Sequence, residues 1–309
     1  MTLPVRRASA PPGAARRGPA RASSARRSAD RAGALLLLLL AVGALAGLCL
    51  SQAFELGPSG VELVGARYVD TATVTAALGL DGAARPNLVT LRTGDLETAL
   101  RQLPDVDPAR PDAVTVRVAL PDRLVVTLHE REPILVWQTT GGRYLVDVNG
   151  VLFAPAGSEP QVPALPVVED DRVGSAALGV GDKLESSDIE AVRRLAALSP
   201  SFLGSAANQL TVRVSDDEGF ALDAAPQGWH AVFGFYTPTI RPPTLIDGQA
   251  QCLATLIGAG EARLATIYLA PGADRCGTFT TQPARGAAPS ARPTAKPTAK
   301  PGATPTPAP

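Results

Sequence analysis

A run of 23 residues without a charge, Ala32 to Phe54, constrains this 309-residue chain more than any other feature. It holds nine leucines. As a helix it measures about 34 Å, against roughly 30 Å for the hydrocarbon core of a bilayer. Nine leucines at about −0.5 kcal/mol each favour insertion by several kcal/mol. The preceding 31 residues carry eight arginines and one acid, Asp30 (8 − 1 = +7), and Glu55 follows the run. Positive charge before and negative charge after place the N-terminus in the cytoplasm and the rest outside. The expectation is a type II single-pass protein of the plasma membrane: a basic tail over 1–31, a transmembrane helix over 32–54, and exported domains. Two other readings compete. Ser51-Gln52-Ala53 satisfies the small-residue rule for signal cleavage, but the apolar stretch exceeds the usual ~7–15 residues. Lipidation at Cys49 wants a small residue where Leu48 stands.

The net charge of zero conceals an asymmetry. Residues 32–281 hold 17 basic and 28 acidic side chains (17 − 28 = −11). An acidic folded part argues against nucleic acid as a partner, since phosphates demand positive surface. The basic tail fits anionic lipid headgroups, and equally fits topology determination alone. Residues 282–309 contain eight prolines among Ala, Thr, Arg and Lys, which predicts an extended, solvated tail.

Between the anchor and that tail the pattern changes near Pro133. Residues 59–132 read as β-α-α-β-β. Gly60-Val61-Glu62-Leu63-Val64-Gly65 reads as a short alternating strand, and Gly65 permits a tight exit from it. Asp70 to Leu78 reads as a helix with Val74, Ala77 and Leu78 on one face. A second helix starts at Thr93, with Leu96, Ala99, Leu100 and Leu103 at helical spacing, and is expected to stop at Pro104. Two strands follow, Ala113 to Ala119 and Leu124 to Glu130, joined by a turn at Leu120-Pro121. Glu130-Arg131-Glu132-Pro133 reads as charge and proline guarding an exposed strand edge. Asn149-Gly150, between Val146-Asp147-Val148 and Val151-Leu152-Phe153, is a two-residue hairpin signal. Residues 133–281 read as β-rich: a helix over Ser187 to Leu198, a hairpin from Leu210 to Leu222, a strand at Trp229 to Phe235, a helix at Leu245 to Ile257, and a last strand at Leu264 to Leu269.

In order and spacing these motifs resemble the FtsQ/DivIB cell-division family, with a POTRA domain first and a β-rich domain second. The resemblance rests on Val64-Gly65 soon after the anchor, Ala77-Leu78-Gly79-Leu80, Leu100 to Val106, Leu120-Pro121-Asp122-Arg123-Leu124, Glu130-Arg131-Glu132-Pro133-Ile134, Trp137, and Leu145 to Phe153. Pro163 to Pro166 resembles the family's proline-bounded loop. The acidic and arginine residues usual in the family's final strand are absent from Ala265-Thr266-Ile267-Tyr268-Leu269.

The fold class expected is α+β with one N-terminal membrane helix. The resemblance implies a non-enzymatic divisome scaffold at the septum, without cofactor, metal or small-molecule substrate. It would bind other single-pass division proteins outside the membrane and help regulate septal peptidoglycan synthesis. Its docking edge is expected at Ala265, Thr266, Ile267, Tyr268 and Leu269, taking a partner strand by β-augmentation. Two alternatives stand beside it: a wall-modifying enzyme in the β-rich domain, and a POTRA-bearing transport or assembly component. No residue pattern nominates catalysis. His129 and His230 have no metal-ligand spacing, and no nucleophile elbow or phosphate loop is present. Cys252 and Cys276 lie in the exported part, where a disulfide closing about 25 residues is worth roughly 3 kcal/mol. Two unpaired thiols are the alternative, since sequence does not supply Cβ geometry.

Overall fold

The computed structural model describes residues 22–80, 82, 85–157, 165–272 and 275–282. The expectations for residues 1–21, for the loop at Pro163-Ala164 and for the tail from 283 onward lie outside the described residues. The chain divides into two compact units, treated separately below. The first comprises residues up to Val64, Thr71–Ala99 and Thr115–Thr127; the second comprises Gly65–Asp70, Leu100–Val114 and the chain from Leu128 onward.

Helix α1 spans Ala22–Cys49. It stops before Phe54, where the uncharged run ends: Ser51 N bonds Leu48 O, and a 3-10 turn follows at Gln52–Phe54. The Asn87 side-chain amide donates to the Cys49 carbonyl at 3.0 Å, satisfying one of the orphan acceptors at the helix end. Leu35 to Leu40 are each 59–68% exposed. Among the described residues no helix is long and apolar enough to cross a membrane. The apolar part of α1 with described side chains, residues 33–49, spans only about 26 Å at 1.5 Å per residue.

Strands β1 (Val61–Val64), β2 (Val114–Ala119) and β3 (Arg123–Leu128) form a sheet in the order β1-β3-β2, with helices α2 (Thr71–Ala77) and α3 (Thr93–Leu100) between β1 and β2 in the chain. The order is β-α-α-β-β. β1 runs parallel to β3, Val61 opposite Leu124 and Val64 opposite Thr127. Val61, Val74, Leu80, Leu88, Val116, Leu124 and Val126 are buried in the first unit. α3 ends at Leu100, four residues before the proline expected to end it.

The second unit is built on nine strands: β4 (Leu135–Thr139), β5 (Arg143–Val146), β6 (Leu152–Pro155), β7 (Val167–Asp170), β8 (Gln209–Ser215), β9 (Gly219–Ala225), β10 (His230–Gly234), β11 (Leu264–Leu269) and β12 (Gly277–Thr281). Their order across the sheet is β12-β11-β10-β9-β8-β7-β4-β5-β6. Most neighbours are antiparallel. Three pairs are parallel: β4 and β7 are joined through β5 and β6, while β7–β8 and β10–β11 need helical crossovers. Helices α4 (Ser186–Ala196) and α5 (Pro200–Leu203) supply the first, and α6 (Leu245–Gly260) the second. One sheet face carries the main core, where Trp137, Trp229, Phe233 and Ile267 pack with Val192, Leu253 and Ile257. The Trp137 indole N–H donates to Asp170 at 3.0 Å, and Arg172 pairs with that carboxylate at 2.8 Å. On the other face Val136, Leu145, Phe153 and Ala154 form a small cluster closed by Tyr68, whose ring meets Phe153 edge-on at 5.5 Å.

Two local expectations are corrected. β3 is the middle strand of its sheet and ends at Leu128, so Glu130-Arg131 does not guard an edge. The Glu130 carboxylate accepts the backbone N–H groups of Arg67, Tyr68 and Val69 at 2.8–2.9 Å. Arg131 donates to Pro104 O and pairs with Asp147. The hairpin after β5 is wider than Asn149-Gly150 alone suggests. β5 ends at Val146, and buried Asp147 accepts the N–H groups of Asn149 and Val151 at 2.9 and 2.8 Å. An aspartate folding onto its own backbone takes the place of the last strand residue.

Candidate functional site

A sheet recruits another chain through an edge, so each end of the nine-stranded sheet is a candidate. The expected edge, Ala265 to Leu269, is not one. β11 is paired on both sides: parallel to β10, with Ala231 opposite Ile267, and antiparallel to β12, with Ile267 opposite Phe279. Ile267 is fully buried and Leu269 nearly so; Tyr268 is 46% exposed, and Ala265 and Thr266 are half-buried. β12 hides in the sequence because Gly277-Thr278-Phe279-Thr280-Thr281 is short and lacks an apolar alternation.

All five residues of β12 are exposed. Ala270 N donates to Cys276 O and Gln282 N to Arg263 O, which fixes the alternation of the ladder. Cys276 and Thr278 turn their backbone groups toward β11. Gly277, Phe279 and Thr281 turn theirs away. No strand among the described residues pairs with that outer side. The register shifts between Leu264 and Ile267, where Thr266 N donates to the Thr280 hydroxyl at 3.1 Å instead of to a carbonyl. Gly277 has φ 118°, and a Cβ there would lie 1.9 Å from Tyr268 O, so only glycine lets the chain enter β12 this close to β11.

The approach to β12 is fastened to helix α6. Cys252 and Cys276 are disulfide-bonded, Cα to Cα 5.1 Å. One turn earlier, the buried Gln249 amide donates to Ala270 O at 3.0 Å and Phe233 O at 3.2 Å, and accepts from the Tyr236 hydroxyl at 2.6 Å. Burial raises the Tyr236 pKa, so the hydroxyl remains a donor. At the far end of β12 the Gln282 side chain donates to Leu264 O at 2.8 Å.

Two strands inward, the exposed sheet face carries a charged cluster that sequence reasoning missed. His230 Nδ1 lies 2.5 Å from Asp223 and Nε2 2.9 Å from Glu218. Arg213 reaches Asp171, Asp223 and Glu169. The Asp223 hydrogen bond raises the His230 pKa against an opposing effect of burial, and the Glu218 bond adds to the rise. Burial pushes Asp223 up, but His230 and Arg213 outweigh it and lower its pKa. Both ring nitrogens face carboxylates, an arrangement that favours the imidazolium over the neutral ring. A cross-strand pair, His230 opposite Asp223, created the cluster; seven residues apart in sequence, it becomes visible only through strand register.

The remaining motif residues sit in turns and junctions. Gly65 follows β1 with φ 84°, and a Cβ there would meet Leu128 O at 2.5 Å. Leu120 and Pro121 form the β2–β3 turn across a cis peptide bond. Pro133 lies between Arg131 and β4.

A β-α-α-β-β unit followed by a nine-stranded mixed sheet defines a two-part architecture of a small α/β domain and a larger β-rich one. Residues 57–131 match the POTRA domain, FtsQ-type, and residues 135–224 match Cell division protein FtsQ/DivIB, C-terminal. The chain belongs to the FtsQ/DivIB family of cell-division proteins. Cell division protein FtsQ of Chloroflexus aurantiacus is 26% identical over 196 residues, and that of Chloroflexus aggregans 27%. Each match covers 62% of this chain and 61% of the relative's length. The protein of the same name from Mycobacteroides abscessus is 37% identical over 89 residues, 28% of this chain and 29% of its own. The family matches end at Ala224, so β10, α6, β11, β12 and the disulfide lie beyond them.

Proposed function

We propose that the chain is a non-enzymatic, membrane-anchored scaffold of the division septum that docks other single-pass division proteins on β12 and so helps regulate septal peptidoglycan synthesis. The observation that carries this reading is the outer side of β12, unpaired among the described residues, where Gly277, Phe279 and Thr281 turn their backbone groups outward. A partner strand there gains main-chain hydrogen bonds, and side chains beside Phe279 add apolar contact. The uncharged run, about 34 Å as a helix, and the arginines before it support an anchor with the N-terminus in the cytoplasm. A disulfide in the second unit supports an oxidising, extracytoplasmic location for that unit.

A photo-crosslinking residue at Phe279 should capture a small membrane protein of the division machinery in living cells, and the same residue at Pro155 should not. Depletion of the chain should leave filaments, with the tagged protein at midcell beforehand. Localisation away from midcell together with normal division after depletion overturns the reading.

A further inference from the structure

We infer that the Cys252–Cys276 bridge is a thiol–disulfide exchange site for a dithiol oxidoreductase, and that its state decides whether the first half of β12 is held in register. The functional consequence rests on the docking reading above; the chemistry and the local effect do not.

β12 buries no residue, so its place depends on its ladder and on what grips its ends. The ladder is interrupted by the register shift. The C-terminal end is held by Gln282, through its N–H to Arg263 O and its amide to Leu264 O. Among the described residues, the N-terminal end is held by its ladder bonds and the α6 face. Gln249 holds Ala270, and Cys252, three residues further along α6, holds Cys276. Cys276 is the residue immediately before β12, and its carbonyl takes the first hydrogen bond of the ladder from Ala270 N. Gly277 then enters with its φ in the left-handed half of the map, a conformation glycine samples freely once released. Breaking the bridge therefore frees the end of the strand that nothing else covalent holds to α6.

The bridge is reachable. Both cysteines are half-buried and line a cleft of about 220 Å³ with Leu245, Gly248, Pro271 and Arg275. Arg275 lines the same cleft, and a cation there favours a departing thiolate. In the exchange, a thiolate of the oxidoreductase attacks one sulfur of the bridge and the other leaves as a thiolate. The second thiol of the oxidoreductase then resolves the mixed disulfide. Two electrons pass to the bridge, both cysteines take up a proton, and the dithiol becomes a disulfide.

Full-length protein in detergent micelles, treated with a thioredoxin-type dithiol protein and read by hydrogen exchange, tests this. Reduction without denaturant should speed exchange at the Thr278 and Ala270 amides at least tenfold, while Gln282 and Leu222 change less than twofold. Cys252→Ser should reproduce that pattern with no reductant. A bridge that resists the dithiol protein under native conditions overturns the exchange site. Unchanged Thr278 exchange in Cys252→Ser overturns the hold on β12. A Cys252→Ser variant whose Thr278 is released, yet which still captures the partner at Phe279 at the oxidised level, leaves the exchange site standing and removes the docking reading instead.

Discussion

The two ends of the nine-stranded sheet are built in opposite ways. At one end β6 buries Leu152, Phe153 and Ala154 and finishes in a proline. The start of its outer side is taken, with Leu152 N bonded to Asp182 O, Gly181 N to Leu152 O, and Val151, just before the strand, bridged to Lys183. At the other end β12 has no buried residue, no proline and no charge. Exposed edges template unwanted pairing, and proteins ordinarily blunt them. Here one edge is blunted by burial, proline and a covering segment, and the other has no strand on its outer side among the described residues. The contrast separates a strand that holds the fold together from a strand that presents it.

Stability should follow the closed edge. Phe153→Ala removes a fully buried ring packed against Tyr68, and should cost about 3–5 kcal/mol in denaturant unfolding. Phe279→Ala, half-exposed on the open edge, should cost under about 0.5 kcal/mol. Equal losses at the two positions would erase the distinction. Asp147→Asn should follow at about 3 kcal/mol, because Arg131 and Asp147 are only 11% and 5% exposed and the guanidinium would lose its counter-ion.

Partner binding should follow the open edge. Phe279→Pro removes a backbone N–H that points away from β11, so the fold should keep its melting temperature to within a few degrees. Capture of the partner should fall at least tenfold, equivalent to about 1.4 kcal/mol. Melting unchanged and binding unchanged together would move the docking surface elsewhere. The same substitution at Ile267, the edge expected from sequence, would only unfold a core residue.

Sequence periodicity revealed what burial dictates. The apolar faces of α4 and α6, the β8–β9 hairpin and the β-α-α-β-β order all follow from side chains that must leave water. It failed where backbone or side-chain polarity decides. Thr278, Thr280 and Thr281 carry no apolar signal, so β12 leaves no period in the sequence and β11 reads as the last strand. Asp147 looked like a strand residue because its inward turn depends on Arg131, 16 residues away. Glu130 looked like a solvent charge because the three amides it caps come from residues 67–69. Such pairings are set by tertiary contact and leave no period to read. The cysteines were visible as a candidate pair, while their position at the entrance to β12 was not.

The smallest difference between the two sides of the sheet should appear in pH dependence. His230 on β10 has a pKa raised above 6.5, chiefly by its hydrogen bond to Asp223 and despite burial. The folded state therefore holds a proton that the unfolded state releases first. Its stabilisation is fully present below pH 6.5 and is lost as pH rises through the higher folded-state value. The groups facing it are Asp223 and Glu218, with Arg213 on the far side of Asp223. All are partly exposed, so the effect should stay below about 1 kcal/mol. Asp105, beside Glu130 and Arg131, acts in another window and with the opposite origin. Burial and the Glu130 charge push it up from 3.8 to about 6, so stability declines as pH climbs from 3.8 to about 6 and is level above that. Stability measured from pH 6.5 to 9 should thus fall in the wild type and stay flatter in His230→Gln. Phe279→Pro should keep the wild-type slope, since the cluster lies two strands inside the open edge. A His230→Gln profile parallel to wild type would show that the imidazole is uncharged in the fold, and a flattened profile in Phe279→Pro would show that β12 and the cluster open together.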